Sequence, residues 1–258
     1  MSKRIYLSPS NQDGNTYATG GTNEMAQCDR IAKATATALK RCGFEVKVGK
    51  SGDTMANRCK ESDTFNADIH MPIHTNAFNG KVTGGTRIFC YSSSKENIAP
   101  ANAVQKTLGK ISPGTADSVT VNAGLYEVNT PNAITVYVEV EFHDTKTGSD
   151  WIRNNTDKIA EAICEGMCNH YNIPYKKKVV APSKNTSNKF KSYIVRIIPD
   201  AGVNIRKDAG TDNEIVGVIG QGGAYTIVEE KKGKGAKKWG KLKSGAGWIA
   251  LDYTEKIK

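Results

Sequence analysis

Apolar and polar positions are patterned differently on the two sides of residue 175. Before it, short apolar runs alternate with stretches of helical period. Residues 5–8 and 44–48 have strand character. Between them, Met25, Cys28, Ile31, Ala32, Thr35, Ala38 and Leu39 recur on one face and predict a helix over residues 23–42, stopped by Gly43. The pattern further predicts a helix over 53–65, strands over 68–74 and 85–92, a helix over 98–111, a strong strand over 133–142 and one long helix over 150–171. Such alternation predicts an α/β fold on a mostly parallel sheet flanked by helices. From Tyr193 onward the period is two, with Gly-containing turns between short apolar runs, which predicts a small all-β barrel. Residues 176–191 are rich in Lys, Ser and Asn and poor in anything to bury, as in a linker. The expected division is therefore 1–175, linker 176–191, and 192–258.

Charge sharpens that division. Residues 1–175 carry 18 Lys+Arg against 18 Asp+Glu, so the whole formal charge of +10 belongs to the remainder. A basic module favours an anionic polymer. Nucleic acid is not expected, because no nucleic-acid-binding motif accompanies the charge. No apolar run approaches the ~18 residues that would span a membrane. The first strand-like run begins almost at the initial Met, without a basic-then-apolar leader, so no secretion signal is expected. All six cysteines lie before residue 175, with no CxxC pair; they are read as reduced thiols and not as a zinc-thiolate site.

The candidate chemistry lies in four histidines and a few carboxylates. His74 ends the 68–74 run, and strand carboxyl ends are where α/β sites are built. Glu24 falls in the first turn of the first helix. Glu139 and Glu141 interrupt the most apolar strand, a costly placement unless they are paired or metal-bound. His70 reads as a core or supporting histidine, and His170 as a cation near a helix C-terminus.

These elements resemble, in order, the zinc-dependent N-acetylmuramoyl-L-alanine amidases of the amidase-3 type. Pro72-Ile73-His74-Thr75-Asn76 is similar to the family's S-I-H-x-N element. Gly21-Thr22-Asn23-Glu24 is similar to its helix-start Glu, and Val138-Glu139-Val140-Glu141-Phe142 to its E-x-G-F element. Arg58 and the Thr83-Gly84-Gly85-Thr86 segment also fit. The resemblance implies that Glu24 and His74 bind Zn²⁺ and that Glu139 is the general base. It departs from the family at the D-P-G-H-G loop, where Leu7-Ser8-Pro9-Ser10-Asn11-Gln12 places Asn11 at the usual histidine. Gln12 or Asn11, or His143 just beyond Glu141, then stand as candidates for the missing ligand; otherwise the site binds zinc poorly.

The C-terminal segment resembles a bacterial SH3-type (SH3b) domain through Val203-Asn204-Ile205-Arg206, Trp239-Gly240-Lys241-Leu242 and Gly247-Trp248-Ile249-Ala250. That resemblance implies wall binding, with Trp239, Trp248 and Tyr253 as stacking candidates. Together the two modules imply a phage endolysin or autolysin that acts on peptidoglycan, with anionic wall polymers as further partners. It would be made in the cytoplasm and released through a holin pore. The competing expectations are a non-catalytic wall-binding protein with a degenerate amidase fold and a stem-peptide endopeptidase.

Overall fold

The computed structural model describes residues 2–80, 84–178 and 190–257. Most of the expected linker, and Thr83 of the Thr83–Thr86 segment, lie outside the described residues. The chain forms two compact units, Met1–Lys178 and Val179–Lys258.

The first unit runs β1 (Arg4–Pro9), α1 (Glu24–Arg41), β2 (Glu45–Val48), α2 (Met55–Thr64), β3 (Ile69–Asn76), β4 (Arg87–Cys90), α3 (Lys95–Leu108), β5 (Ser118–Val121), α4 (Tyr126–Asn129), β6 (Ile134–Thr135), β7 (Tyr137–Phe142), α5 (Lys146–Asn154) and α6 (Thr156–Tyr171). The sheet order is β2-β1-β3-β7-β4-β5, with β6 also paired to β3. Strands β1, β2, β3, β6 and β7 are mutually parallel. β4 lies antiparallel to β7 and carries β5 parallel to itself, so the sheet is mixed yet mostly parallel, as the alternating pattern predicts, and differs only at the β4–β7 pairing. Alternation signals crossovers but does not encode the direction in which an edge pair is added. Two further differences have local causes. Asn155 breaks the predicted 150–171 helix into α5 and α6; Thr145 caps the first by accepting from the Gly148 N–H. The 133–142 run divides at Val136 into β6 and β7, with the Val136 N–H still donating to His70 O of β3 at 3.0 Å.

Helix α6 packs on both α1 and α3, with α1 also on β1 and β3 and α3 on β4. The core there joins Ile5, Leu7, Ile31, Leu39, Ile69 and Ile163, among others. The α1 start is fixed by its sequence: the Asn23 side chain accepts from the Ala26 N–H at 2.9 Å, and acidic Glu24 occupies the first turn, favoured by the helix dipole.

The second unit is built of antiparallel pairs: β8 (Tyr193–Ile197), β9 (Val203–Arg206), β10 (Ile215–Ile219), β11 (Ala224–Gly233), β12 (Ala236–Leu242), β13 (Trp248–Ala250) and β14 (Thr254–Lys256), in the order β10-β9-β13-β12-β11-β8-β14. A one-turn 3₁₀ helix, Leu251–Tyr253, joins β13 to β14. The expected all-β character is present, and no closed barrel is formed among the described residues. Among those residues, no helix in either unit is long and apolar enough to cross a membrane.

Candidate active site

Parallel pairing of β1, β3 and β7 brings their carboxyl ends together, the usual place for a site in an α/β sheet. His74 and Glu139 are direct register partners on β3 and β7. The N-terminus of α1 adds Glu24: His74 Nδ1 and Glu24 Oε1 are 2.8 Å apart, and both side chains are buried. The His74 ring also stacks on Tyr137, with centroids 4.7 Å apart.

A third carboxylate completes the cluster, and sequence reasoning misses it. Glu127 sits on the single-turn α4, 1% exposed. Its Oε1 lies 3.3 Å from His70 Nε2 and accepts from the Ser8 hydroxyl. Its Oε2 lies 3.6 Å from Arg58 Nη2 and 3.9 Å from His74 Nε2. Arg58, fully buried, also donates through Nη1 to Pro9 O at the end of β1. Arg58, Glu127, His74 and Glu24 thus form one chain of alternating charge.

Each group's proton affinity follows from that chain. Burial works against ionising Glu127, but His70, His74, the Arg58 guanidinium and Ser8 outweigh it and hold the carboxyl at about 2. Glu24 is likewise lowered: burial opposes ionisation, but His74, Asn15 and Ser10 overcome it. Burial disfavours imidazolium at His74, yet the carboxylates of Glu127, Glu24 and Glu139 raise it to about 9. Glu139 goes the other way. Burial raises it, His74 and Arg87 pull it down, Glu24 pushes it up, and it settles at about 8. The residue as a whole is half-buried, while its Oε2 is enclosed and, among the described residues, without a hydrogen-bond partner. An unpartnered, nearly neutral carboxyl beside an ionic pair is a recurrent feature of catalytic sites.

The other candidates have other places. The two carboxylates that interrupt β7 have different surroundings: Glu141 accepts from Gly85 N–H at 2.7 Å, Phe142 N–H at 2.8 Å, Gly114 N–H at 3.2 Å and the Ser112 hydroxyl. It pins two loops. A side chain at Gly84 would place its Cβ 2.5 Å from Glu141 Oε1, and the φ of +84° there also favours glycine. His143 is buried and stacked on Tyr17, with Nδ1 2.9 Å from both Thr75 Oγ1 and Thr75 O. Gln12 Oε1 accepts from Asn15 Nδ2, which also donates to Glu24 Oε2. Asn11 turns its amide to Asp53 O. His70 is a core histidine stacked on Tyr6, as its sequence position suggests.

Glu24 Oε1 and His74 Nδ1, 2.8 Å apart, are close to the roughly 3.3 Å that separates two donors bound at about 2.0 Å to one tetrahedral zinc ion. A two-ligand seat therefore fits. Among the described residues, the three-donor groups of His, Cys, Asp and Glu are Cys59-His70-Glu127 and Cys42-Cys164-Cys168; neither includes that seat.

In the second unit, Trp239 (2% exposed) and Trp248 (6% exposed) form a small core of their own, whereas Tyr253 is 52% exposed. Trp239 and Tyr253 line a cavity of about 320 Å³ with Pro199, Asn204 and Arg206. The Trp239 indole N–H has no partner. Trp248 instead lies under the Lys231 and Lys241 ammonium groups, each 5.7 Å from a ring centroid.

The first unit has solved structural counterparts. The N-acetylmuramoyl-L-alanine amidase AmiC2 of Nostoc punctiforme aligns at TM-score 0.59 and 20% identity, over 66% of this chain and 97% of that one. The catalytic domain of the amidase CwlV from Bacillus (Paenibacillus) polymyxa var. colistinus aligns at 0.59 and 17%, over 67% and 99%. The catalytic domain of the CD27L endolysin targeting Clostridia difficile aligns at 0.55 and 21%, over 65% and 97%. At these identities the likeness concerns the fold. An uncharacterised 38.4 kDa protein of Clostridium perfringens is 31% identical over 168 residues, 60% of this chain; the chain spans about half the length of that relative (48%). The sequence profile Amidase_3, N-acetylmuramoyl-L-alanine amidase, matches residues 9–169, well over half the chain, and the chain therefore belongs to that amidase family.

Proposed function

We propose that the chain is a peptidoglycan hydrolase that cuts the amide between N-acetylmuramic acid and L-alanine, at a zinc site held by Glu24 and His74. The observation that carries this reading is the Glu24–His74 contact set beside the unpartnered carboxyl of Glu139. When bound, zinc supplies Lewis acidity toward a carbonyl and lowers the pKa of bound water. The chain's own groups do the rest. Glu139 Oε2 takes a proton from the attacking water and returns it to the leaving L-alanine nitrogen. Glu127, 3.9 Å from His74 Nε2, favours the charged ring from the side opposite Glu24, and His70, His74 and Arg58 together keep Glu127 ionised. Glu141 is a scaffold residue.

The protonated state of His74 gives a test of the seat. With its pKa at about 9 in the metal-free chain, an entering ion must displace its proton. Zinc affinity should then rise about tenfold per pH unit between about pH 6 and about pH 8, read by competition with a chromophoric chelator. Affinity independent of pH, or unchanged in His74→Ala, would remove zinc from this seat. Metal content also locates the third protein donor. Gln12→Ala should weaken binding, since Gln12 is one Asn15 amide away from Glu24, whereas His143→Ala should spare it, because among the described residues no donor atom of His143 groups with those of Glu24 and His74.

The second unit is read as an SH3b wall-binding module, with Trp239 and Tyr253 of the 320 Å³ cavity as its contact residues and Trp248 as packing beneath the lysines. Tethering a catalyst to an insoluble polymer raises its effective concentration there. The basic charge makes anionic wall polymers a further partner. Residues 192–258 alone should bind walls without cutting them, more weakly as salt is added; residues 1–175 alone should cut soluble fragments but lose activity on whole cells. Equal, salt-independent binding by both segments would refute the division of labour. An endolysin or autolysin role, with action on the wall after release from the cytoplasm, follows from this pairing.

A further inference from the structure

Three cysteines far apart in sequence meet inside the first unit, away from the candidate active site. Cys42 is the C-terminal cap of α1. Cys164 and Cys168 lie four apart on α6, on the face turned to α1. All are free and buried, and their sulfurs lie within 4.8 Å of one another, Cys42 Sγ and Cys164 Sγ at 3.6 Å. The cluster is not merely apolar filling. The Lys176 N–H donates to Cys42 Sγ at 3.3 Å, and Cys42 Sγ lies 3.7 Å from Lys176 O. The Arg41 guanidinium donates to that same carbonyl at 2.7 Å and is anchored by Glu161 at 2.6 Å.

We propose that Cys42, Cys164 and Cys168 form a binding site for one thiophilic d¹⁰ cation, Zn²⁺ or Cu⁺, that pins the end of α1 and the 172–178 segment to α6. The geometry is the argument. Metal–sulfur bonds of about 2.3 Å place sulfurs about 3.8 Å apart in a tetrahedron and about 4.0 Å in a trigonal plane. The Cys42–Cys164 separation of 3.6 Å lies just below those values and no pair exceeds 4.8 Å, so closure needs shifts of under about 1 Å, within side-chain rotation. Soft thiolates select zinc and monovalent copper over the hard cations that suit carboxylates. On binding, each of the three thiols gives its proton to water and its sulfur lone pair to the ion; no oxidant or reductant is involved. Three thiolates leave one net negative charge around Zn²⁺ and two around Cu⁺, and Arg41 is the adjacent cation. In the empty site burial first, and the neighbouring thiols after it, raise Cys164 and hold Cys168 at about 12. The absence of a CxxC pair therefore does not exclude a thiolate site in this sequence, because packing of α1 on α6 supplies the convergence that local spacing lacks.

The test uses the full chain, reduced and stripped of metal. Co²⁺, as a spectroscopic stand-in for Zn²⁺, should give one equivalent with thiolate-to-metal charge-transfer absorption in the near ultraviolet. Zn²⁺ should bleach it. Cu⁺ is offered separately against a colorimetric chelator, so the two arms decide which ion is held more tightly. Cys164→Ala and Cys42→Ser should lose the band, and Cys90→Ser should keep it. The Glu24–His74 seat has no sulfur donor and gives no such band, so the outcome is independent of the zinc reading of the active site. Should a variant fold poorly, X-ray absorption of the metal-loaded wild-type chain still decides: about three sulfur neighbours at about 2.3 Å are expected. No charge-transfer band, a band that survives Cys164→Ala, or a Cys42–Cys164 disulfide that takes up no metal after reduction would overturn the proposal.

Discussion

Replacing Glu139 with Gln lowers the rate of peptidoglycan cleavage by about 100-fold or more, while zinc content and the unfolding midpoint stay at their wild-type values. The amide has the shape of the protonated carboxyl that burial favours here, so the fold loses nothing. Glu139 Oε2 has no hydrogen-bond partner to forfeit. What is lost is the capacity to accept a proton beside the Glu24–His74 pair. A carboxyl held at about 8 is matched to that work near neutral pH, and a cation at the seat would favour its ionised form. His74→Ala is the contrasting variant: metal and activity disappear together. Wild-type cleavage by Glu139→Gln would make this carboxyl structural.

The second large effect is on stability. Glu127→Ala removes the partner of Arg58 and leaves a fully buried guanidinium uncompensated, beside His70 and His74. Breaking a buried ion pair from one side costs about 3–5 kcal/mol. Calorimetry of the full chain should show the transition of the first unit falling, and that of the second unit unchanged. The same carboxyl sets an acid limit. Its pKa is depressed from 4.5 to about 2, so its stabilisation is present above about 4.5 and is lost as pH falls toward 2. Glu127→Gln should flatten that part of the pH profile. A loss under about 1 kcal/mol in Glu127→Ala would show that Arg58 is compensated elsewhere.

The visibility of this site in the sequence depended on the kind of element each residue occupies. Glu24 follows a capping Asn, His74 ends an apolar run, and Glu139 interrupts one, so their places in the pattern single them out, while their roles came from the family resemblance. Glu127 was hidden because α4 is one turn long, too short for a helical period, and because the Ser118–Val121 strand before it is half exposed and polar. A glutamate in such a stretch looks like surface until the fold turns it under β3. Glu141 shows the limit of the same pattern. It shares the alternation of Glu139, yet the ladder shifts register between His74 and Asn76, and the residue ends among Gly84, Gly85 and Gly114. The antiparallel β4 was likewise unreadable, since strand direction is set by pairing partners and not by composition. In the second unit the two-residue period was informative, but the burial of Trp239 and Trp248 against each other depends on the β12–β13 pairing that no local pattern records.

The most direct measurement is mass spectrometry of purified peptidoglycan digested by the zinc-loaded chain. The account predicts stem peptides with a newly freed L-alanine amino terminus, glycan strands with intact lactyl carboxyls, and no such products with Glu139→Gln. Cleavage within the stem peptide, or wall binding without any new terminus, would contradict it.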